Sequence, residues 1–153
     1  MELHAFNRAQ RQQGMAMVEF TIVLPLLLLL LLAFGEFGRM LYQYNILLQA
    51  SRDAGRYAAS QALSPVGIID LSGTVLAQTK NVAVYGVPVS TGSAVLSGLT
   101  TGAVDVAAMG ADHVRVTITY TYIPVVGTAI PSIFGNQISL SIPLVASTVM
   151  RAL

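Results

Sequence analysis

The sequence predicts an α+β fold, in which a long N-terminal helix packs on a small antiparallel β-sheet. Three observations carry this. A charge-free apolar block runs from Phe20 to Gly35. From Glu36 to Ala62 no proline interrupts a pattern of helical period. His113 to Ile123 alternates apolar and polar residues in the two-residue rhythm of a half-buried strand.

The block from Phe20 to Gly35 holds sixteen residues, and adding Met15 to Glu19 makes twenty-one. At 1.5 Å per residue these span roughly 24 and roughly 32 Å, against a hydrocarbon core of about 30 Å. Residues 15–35 therefore read as a transmembrane helix with Glu19 near one interface. There a carboxylate avoids the roughly 2.5–3.5 kcal/mol that a charge such as Asp costs at the centre of a span, and it stays available for a partner. Pro25 removes the hydrogen bond to the Thr21 carbonyl, an interruption that spanning helices tolerate and that commonly kinks them. Leu26 to Leu32 is a plain lipid-facing block. Basic residues flank both sides, Arg8 and Arg11 before the span and Arg39, Arg52 and Arg56 after it, so the positive-inside count does not choose an orientation. Arg39 follows Glu36 by three residues, a spacing that allows local pairing on a helix.

Residues 36–63 read as an amphipathic extension of the same helix. Phe37, Leu41, Tyr44, Leu48, Ser51, Gly55, Ala58 and Ala62 recur at spacings of four and three and form one stripe. Glu36, Arg39, Gln43, Gln49, Arg52, Asp53 and Arg56 fill the remaining arc. The stripe tapers from bulky residues to Gly and Ala, and small residues let another backbone approach closely. The charged residues of this arc, Glu36, Arg39, Arg52, Asp53 and Arg56, are candidates for contacts between subunits as well as for a solvated face. Ser64-Pro65 ends the run.

Residues 64–153 read as a small α+β domain. Ile68 to Lys80 is a candidate short helix weakened by Gly73, and Asn81 to Val89 reads as an edge or bulged strand containing Gly86. Ser90 to Gly102 is a Ser/Thr/Gly-rich loop. In the strand from His113 to Ile123, Val114, Val116, Ile118, Tyr120 and Tyr122 face one way and Arg115, Thr117, Thr119 and Thr121 the other. Asp112-His113 reads as the turn before it. Val125 to Gly135 is an apolar loop, and Gln137 to Arg151 a closing strand with Pro143 at an edge or bulge. About ninety residues make a small core, so the helix stripe must complete it.

Composition narrows the function. The chain has 153 residues, one domain's worth of protein, of which 10% are charged and 54% hydrophobic. A net charge of +1 without a basic cluster argues against a nucleic-acid partner. The absence of cysteine excludes disulfides and thiol-based metal or redox chemistry, and fits a periplasmic protein that does without disulfides. His4 and His113 are the only histidines. No phosphate loop, metal spacing or nucleophile elbow is present, so neither catalytic residues nor a cofactor is expected.

The most informative feature is Arg11-Gln12-Gln13-Gly14, four mostly apolar residues, then Glu19-Phe20. This looks like a type IV prepilin processing site, with Gly14 the last residue of a 1–14 leader, Met15 the new N-terminus and Glu19 its fifth residue. Two other readings compete: a plain signal anchor, and a secretory signal cleaved after Ala33-Phe34-Gly35. The second has a long n-region and an acidic residue abutting its apolar stretch.

Gly14-Met-Ala-Met-Val-Glu19-Phe20, Leu24-Pro25-Leu26 and the Leu run to Glu36-Phe37-Gly38-Arg39 resemble the TadE-like family, minor pseudopilins of the tight-adherence (Flp) pilus. Tyr42-Gln43-Tyr44-Asn45 and Ala50-Ser51-Arg52-Asp53-Ala54-Gly55-Arg56-Tyr57-Ala58-Ala59 continue the likeness over about a third of the chain. Lys80 to Gly86 and the closing strand are similar more weakly. The resemblance implies a pilin-like fold and cleavage between Gly14 and Met15 by a prepilin peptidase of the inner membrane. It implies a single pass with a cytoplasmic N-terminus and a periplasmic C-terminal domain, and possible incorporation in the extracellular pilus. The implied partners are that peptidase, the major Flp pilin, other minor pseudopilins, the assembly platform and the lipid bilayer. The implied roles are pilus assembly, surface adhesion and biofilm formation. Because the major pilin is little more than the helix, the domain after Leu63 sets this chain apart from the shaft subunit. The alternative is a signal-anchored or secreted envelope domain that binds another envelope protein without entering a filament.

Overall fold

The computed structural model describes residues 3–64, 67–125, 129–130, 138–139 and 141–152, with side chains from Met15 onward. Helix α1 spans Leu3–Gln61 and continues in helical form through Pro25. Helix α2 spans Gly73–Tyr85, and a 3₁₀ turn occupies Thr101–Ala103. The strands are β1 (Val104–Met109), β2 (His113–Thr121), β3 (Ala129–Ile130), β4 (Ile138–Ser139) and β5 (Pro143–Arg151). The chain divides into two compact units, Met1–Gly38 and Arg39–Leu153, so the second takes in the amphipathic part of α1.

In the second unit the sheet has the order β1-β2-β5, antiparallel throughout. β2 is central because it carries the strictest alternation: Val114, Val116, Ile118 and Tyr120 are buried, while Thr119 and Thr121 are exposed. Pro143 opens β5 on an edge, where a missing N–H costs least. Leu144 and Ala146 pair with Tyr120 and Ile118 and face the same way. β3 and β4 form a separate two-stranded pair. The expected apolar loop from Val125 to Gly135 and the positions Pro65 and Leu140 lie largely or wholly outside the described residues.

The core is the helix stripe against this sheet. Leu47, Ala50, Ala54, Ala58 and Ala62 join Val82, Ala83 and Val84 of α2 and the inner residues of β2 and β5 in one cluster. The arc that is buried is rotated slightly from the expected one. Gln43, assigned by the sequence pattern to the polar arc, is buried, whereas Phe37 and Leu41 of the stripe are exposed. The reason is tertiary: the sheet meets α1 over its Ala/Gly/Ser portion, and position 43 lies one turn before Leu47 on that same side.

Helix–sheet contact is close where side chains are small. Ser51 donates its one hydroxyl proton to the Leu48 carbonyl at 2.9 Å, so the Thr148 hydroxyl, 2.8 Å away, must donate to Ser51. A Cβ placed on Gly55 would stand 3.5 Å from the Met150 sulfur, which is ordinary contact. Tyr57 donates to Gln78 Oε1 at 2.8 Å and Tyr120 to the Ser97 carbonyl at 2.9 Å, satisfying two phenols at the margin of the core.

Several expectations are corrected. The closing strand expected from Gln137 to Arg151 is divided: Ile138–Ser139 pairs with Ala129–Ile130, and only Pro143–Arg151 joins the main sheet. Asn81 to Val89 is not a strand: α2 continues to Tyr85, and Gly86 ends it with φ 74° and an N–H to the Val82 carbonyl at 2.9 Å. Val82 and Val84 suit a strand by alternation, but Thr79, Val82 and Ala83 share a helical face that is buried, and packing overrides β-propensity. The helix start moves from Ile68 to Gly73. β1 was not anticipated; its alternation is short, with only Val104 fully buried. Ahead of α2, Asp70 accepts from the Ser72 hydroxyl and backbone N–H, the latter at 2.8 Å, and these bonds hold its carboxyl below the ordinary 3.8.

Gly55→Ala is expected to raise stability by about 0.5–1 kcal/mol through helix propensity, since the methyl fits. Gly55→Leu should lower it by about 1–3 kcal/mol by displacing Met150. Thermal unfolding of the detergent-solubilised chain followed by circular dichroism separates the two. Because the Asp70 carboxyl is depressed in the folded state, its contribution is present above the unfolded value and is lost as pH falls through the folded one. NMR titration of the Asp70 carboxyl should give a midpoint below 3.8, moved upward in Ser72→Ala.

Candidate functional site

Within the first unit, residues 15–35 form an apolar stretch of helix with a single charged residue, Glu19, near one end. α1 from Met15 onward contains a window of mean hydropathy 2.6 with nothing covering it, long enough and apolar enough to cross a membrane. Met15, Phe20 and the leucines from Leu26 to Leu32 are exposed. Glu19 is exposed too, four residues after Met15 and so on the same helix face. Gly14 falls within α1, but its surroundings lie outside the described residues.

Thr21 donates to the Met17 carbonyl at 2.7 Å, one turn ahead of Pro25, which has no N–H to offer the Thr21 carbonyl. The Thr21 hydroxyl bond adds to the ladder at Met17, so the one ladder bond that Pro25 removes is at the Thr21 carbonyl, within a continuous helix.

A family model described as TadE, TadE-like protein, matches residues 14–56. Over that stretch the chain resembles TadE-like proteins. The match begins at Gly14 and ends at Arg56, so it takes in every residue singled out from the sequence: Gly14, Met15, Glu19, Phe20, Pro25, Glu36, Arg39, Arg52, Asp53 and Arg56. No curated protein and no solved structure matches the chain. The TadE-like stretch and the long apolar helix together fit a membrane-anchored component of a pilus system.

The charged residues of the TadE-like stretch separate into two groups. Arg39 is held by the second unit: Nη1 donates to the Ile123 carbonyl at 3.4 Å, and the guanidinium lies 5.9 Å from the centre of the Tyr122 ring. Sequence reasoning missed this contact, having paired Arg39 with Glu36 by spacing and turned Tyr122 into the core. Tyr122 is buried as expected, and its ring carries the cation as well. Arg52, Asp53 and Arg56 form an exposed ridge on α1, with Arg56 and Asp53 3.8 Å apart. An exposed pair at that distance contributes little to stability, which leaves the ridge free for other contacts. Asp53 also borders a shallow hollow of about 200 Å³ with Ile46, Gln49, Ala50, Val82, Gly86 and Val95.

Away from this stretch, Asp112 accepts from His113 Nδ1 at 2.7 Å and from Arg151 Nε at 3.1 Å, tying the turn before β2 to the end of β5. The Ala152 N–H adds a bond of 2.8 Å to the Asp112 carbonyl. The arrangement closes the sheet and needs no substrate to explain it. No group of three or more metal-ligating side chains occurs among the described residues.

Removing the guanidinium by Arg39→Ala should loosen the chain after β2. The expected readout is faster amide exchange at Tyr122 and Ile123 with β2 itself unchanged, measured by hydrogen exchange in detergent micelles.

Proposed function

We propose that this protein is a minor pseudopilin of a Tad/Flp pilus, cleaved between Gly14 and Met15 by a prepilin peptidase and needed for pilus assembly, surface adhesion and biofilm formation. The observation that carries this reading is the TadE-like match, which begins at Gly14 and contains an exposed Glu19 in a run from Met15 to Gly35 that holds no other charge. In this role the chain is a peptidase substrate and a structural subunit, and it performs no catalysis of its own. It spans the inner membrane once, with residues 1–14 in the cytoplasm and the domain after the span in the periplasm. Its partners are the major Flp pilin, other minor pseudopilins and the assembly platform.

The physical role of cleavage follows from charge. Cutting after Gly14 removes Arg8 and Arg11 and creates an ammonium at Met15. It also makes Met15 the start of a helix, where unsatisfied N–H groups and the macrodipole favour a carboxylate within the first turns. Glu19 fills that place in its own chain. In a filament it also neutralises the Met15 ammonium of a neighbour, and pairing two charges that are costly in lipid fixes the register between subunits. The exposed ridge of Arg52, Asp53 and Arg56 supplies further contacts between subunits.

Intact mass and N-terminal sequencing, with and without the peptidase, test the processing step. A mature chain starting at Met15, lost in Gly14→Val, is expected. A start at Met1 would leave a signal-anchored envelope protein, and a start at Glu36 a secreted domain. Glu19→Ala should still be cleaved but should be missing from sheared pili. Normal levels of the variant in the filament would remove the pairing role.

A further inference from the structure

β5 and α1 run in step. Thr148 meets Ser51 and Met150 faces Gly55, so two strand residues advance alongside four helical ones. Rises of about 3.3 and about 1.5 Å per residue give nearly that ratio. Carried back five strand residues from Thr148 and ten helical residues from Ser51, the correspondence sets Pro143 level with Leu41. Pro143 pairs with Thr121, the Tyr122 N–H bonds to the Ile142 carbonyl at 2.9 Å, and Arg39 reaches Ile123. The start of the amphipathic helix, the end of β2 and the start of β5 therefore share one end of the globular unit.

That end is rimmed by apolar side chains open to their surroundings: Leu41 is 44% exposed, Tyr42 66%, Ile123 58%, Val125 72% and Ile142 43%. It is also depleted of charge. α1 carries no charged residue between Arg39 and Arg52, about 20 Å of helix, and the sequence carries none from Val116 to Met150. A charged cluster, Asp112 with His113 and Arg151, lies at the opposite end of the β2–β5 ladder. A face that is apolar, nearly uncharged and rimmed by Tyr and Arg has the composition of the lipid–water boundary, where amphipathic rings and snorkelling cations concentrate. The charge-free block of α1 ends at Gly35, only six residues before Leu41 in the sequence.

We propose that this rim is a membrane-docking surface: Leu41, Tyr42, Ile123, Val125 and Ile142 lie in the headgroup layer of the bilayer that α1 crosses. Arg39 stands among them. Its guanidinium has five N–H groups, and the bond to Ile123 occupies one Nη, leaving donors for lipid phosphate oxygens. Docking fixes the sheet against the membrane before the subunit is extracted, so leaving the bilayer requires the rim to exchange lipid for another apolar partner. The proposal rests on the membrane-anchored reading above.

The chain contains no tryptophan, so single reporters give a clean signal. The full chain is reconstituted in phosphatidylcholine–phosphatidylglycerol bilayers whose acyl chains are brominated near the glycerol backbone or near the methyl end. Ile123→Trp and, as an independent position, Tyr42→Trp should emit blue-shifted light and lose most of it to the shallow bromines. Leu29→Trp should be quenched best by the deep bromines, and Ile68→Trp, beyond the end of α1, should stay unquenched in both. Water-like, unquenched emission at both rim positions, with Leu29→Trp quenched, overturns the docking surface and leaves the anchor standing. Blue-shifted but unquenched emission there means that protein, including a second copy of this chain, covers the rim, and overturns lipid as its occupant. Unquenched emission at Leu29 as well as the rim overturns the anchor and the docking surface together.

Discussion

Everything in the globular unit depends on how closely β5 can approach α1. Ser51, Ala54, Gly55 and Ala58 present almost no side chain, so the strand meets the helix through a hydroxyl pair at one level and a methionine over a glycine four helical residues later. With the helix so near, β5 can supply Ala146 where β2 supplies Ile118, and the two fill one layer between them. Enlarging the helix stripe would push the edge strand outward and with it the ladder to β2. The second helix then closes the remaining side, with Val82, Ala83 and Val84 buried. A sheet of three strands cannot form an independent core of useful size, and the apolar face it lacks is borrowed from α1.

The two halves of α1 thus meet different surroundings. From Met15 to Gly35 the helix is apolar and uncovered, with Glu19 the one charge. From Leu47 it is small and covered. Arg39 stands where one regime gives way to the other, and it is bound to backbone and aromatic ring instead of lying free in solvent. The stretch has Glu19 near one end and Glu36 with Arg39 just beyond the other, and charge counting alone gives no orientation.

Much of this was legible before any coordinates. The period of α1 from Glu36 onward, the alternation of Val114, Val116, Ile118 and Tyr120, and the edge position of Pro143 follow from side-chain geometry that acts over a few residues. The misreadings have physical causes. In Asn81 to Tyr85, Val82 and Val84 satisfy a period of two while Thr79, Val82 and Ala83 satisfy the helical one, and only the surface they meet decides. β1 is half-exposed and short, so its pattern is weak. Gln43 is buried because of where the sheet begins, which no local pattern encodes, and its Oε1 has no hydrogen-bond partner. For the site, Gly14, Glu19 and Pro25 are legible because spacing and charge in an apolar run are local facts. The bond from Arg39 to Ile123 joins residues 84 positions apart and is visible only once the sheet is laid on the helix.

That same long reach has a temporal side. Ser51 and Thr148 are separated by 97 residues, so the hydroxyl pair that seats β5 on α1 cannot form until β5 has been synthesised. At about 5–20 residues per second this is an interval of roughly 5–20 s in which only α2 and the earlier strands are available to cover Leu47, Ala54 and Ala58. β5 is therefore the last element of the three-stranded sheet to join the core.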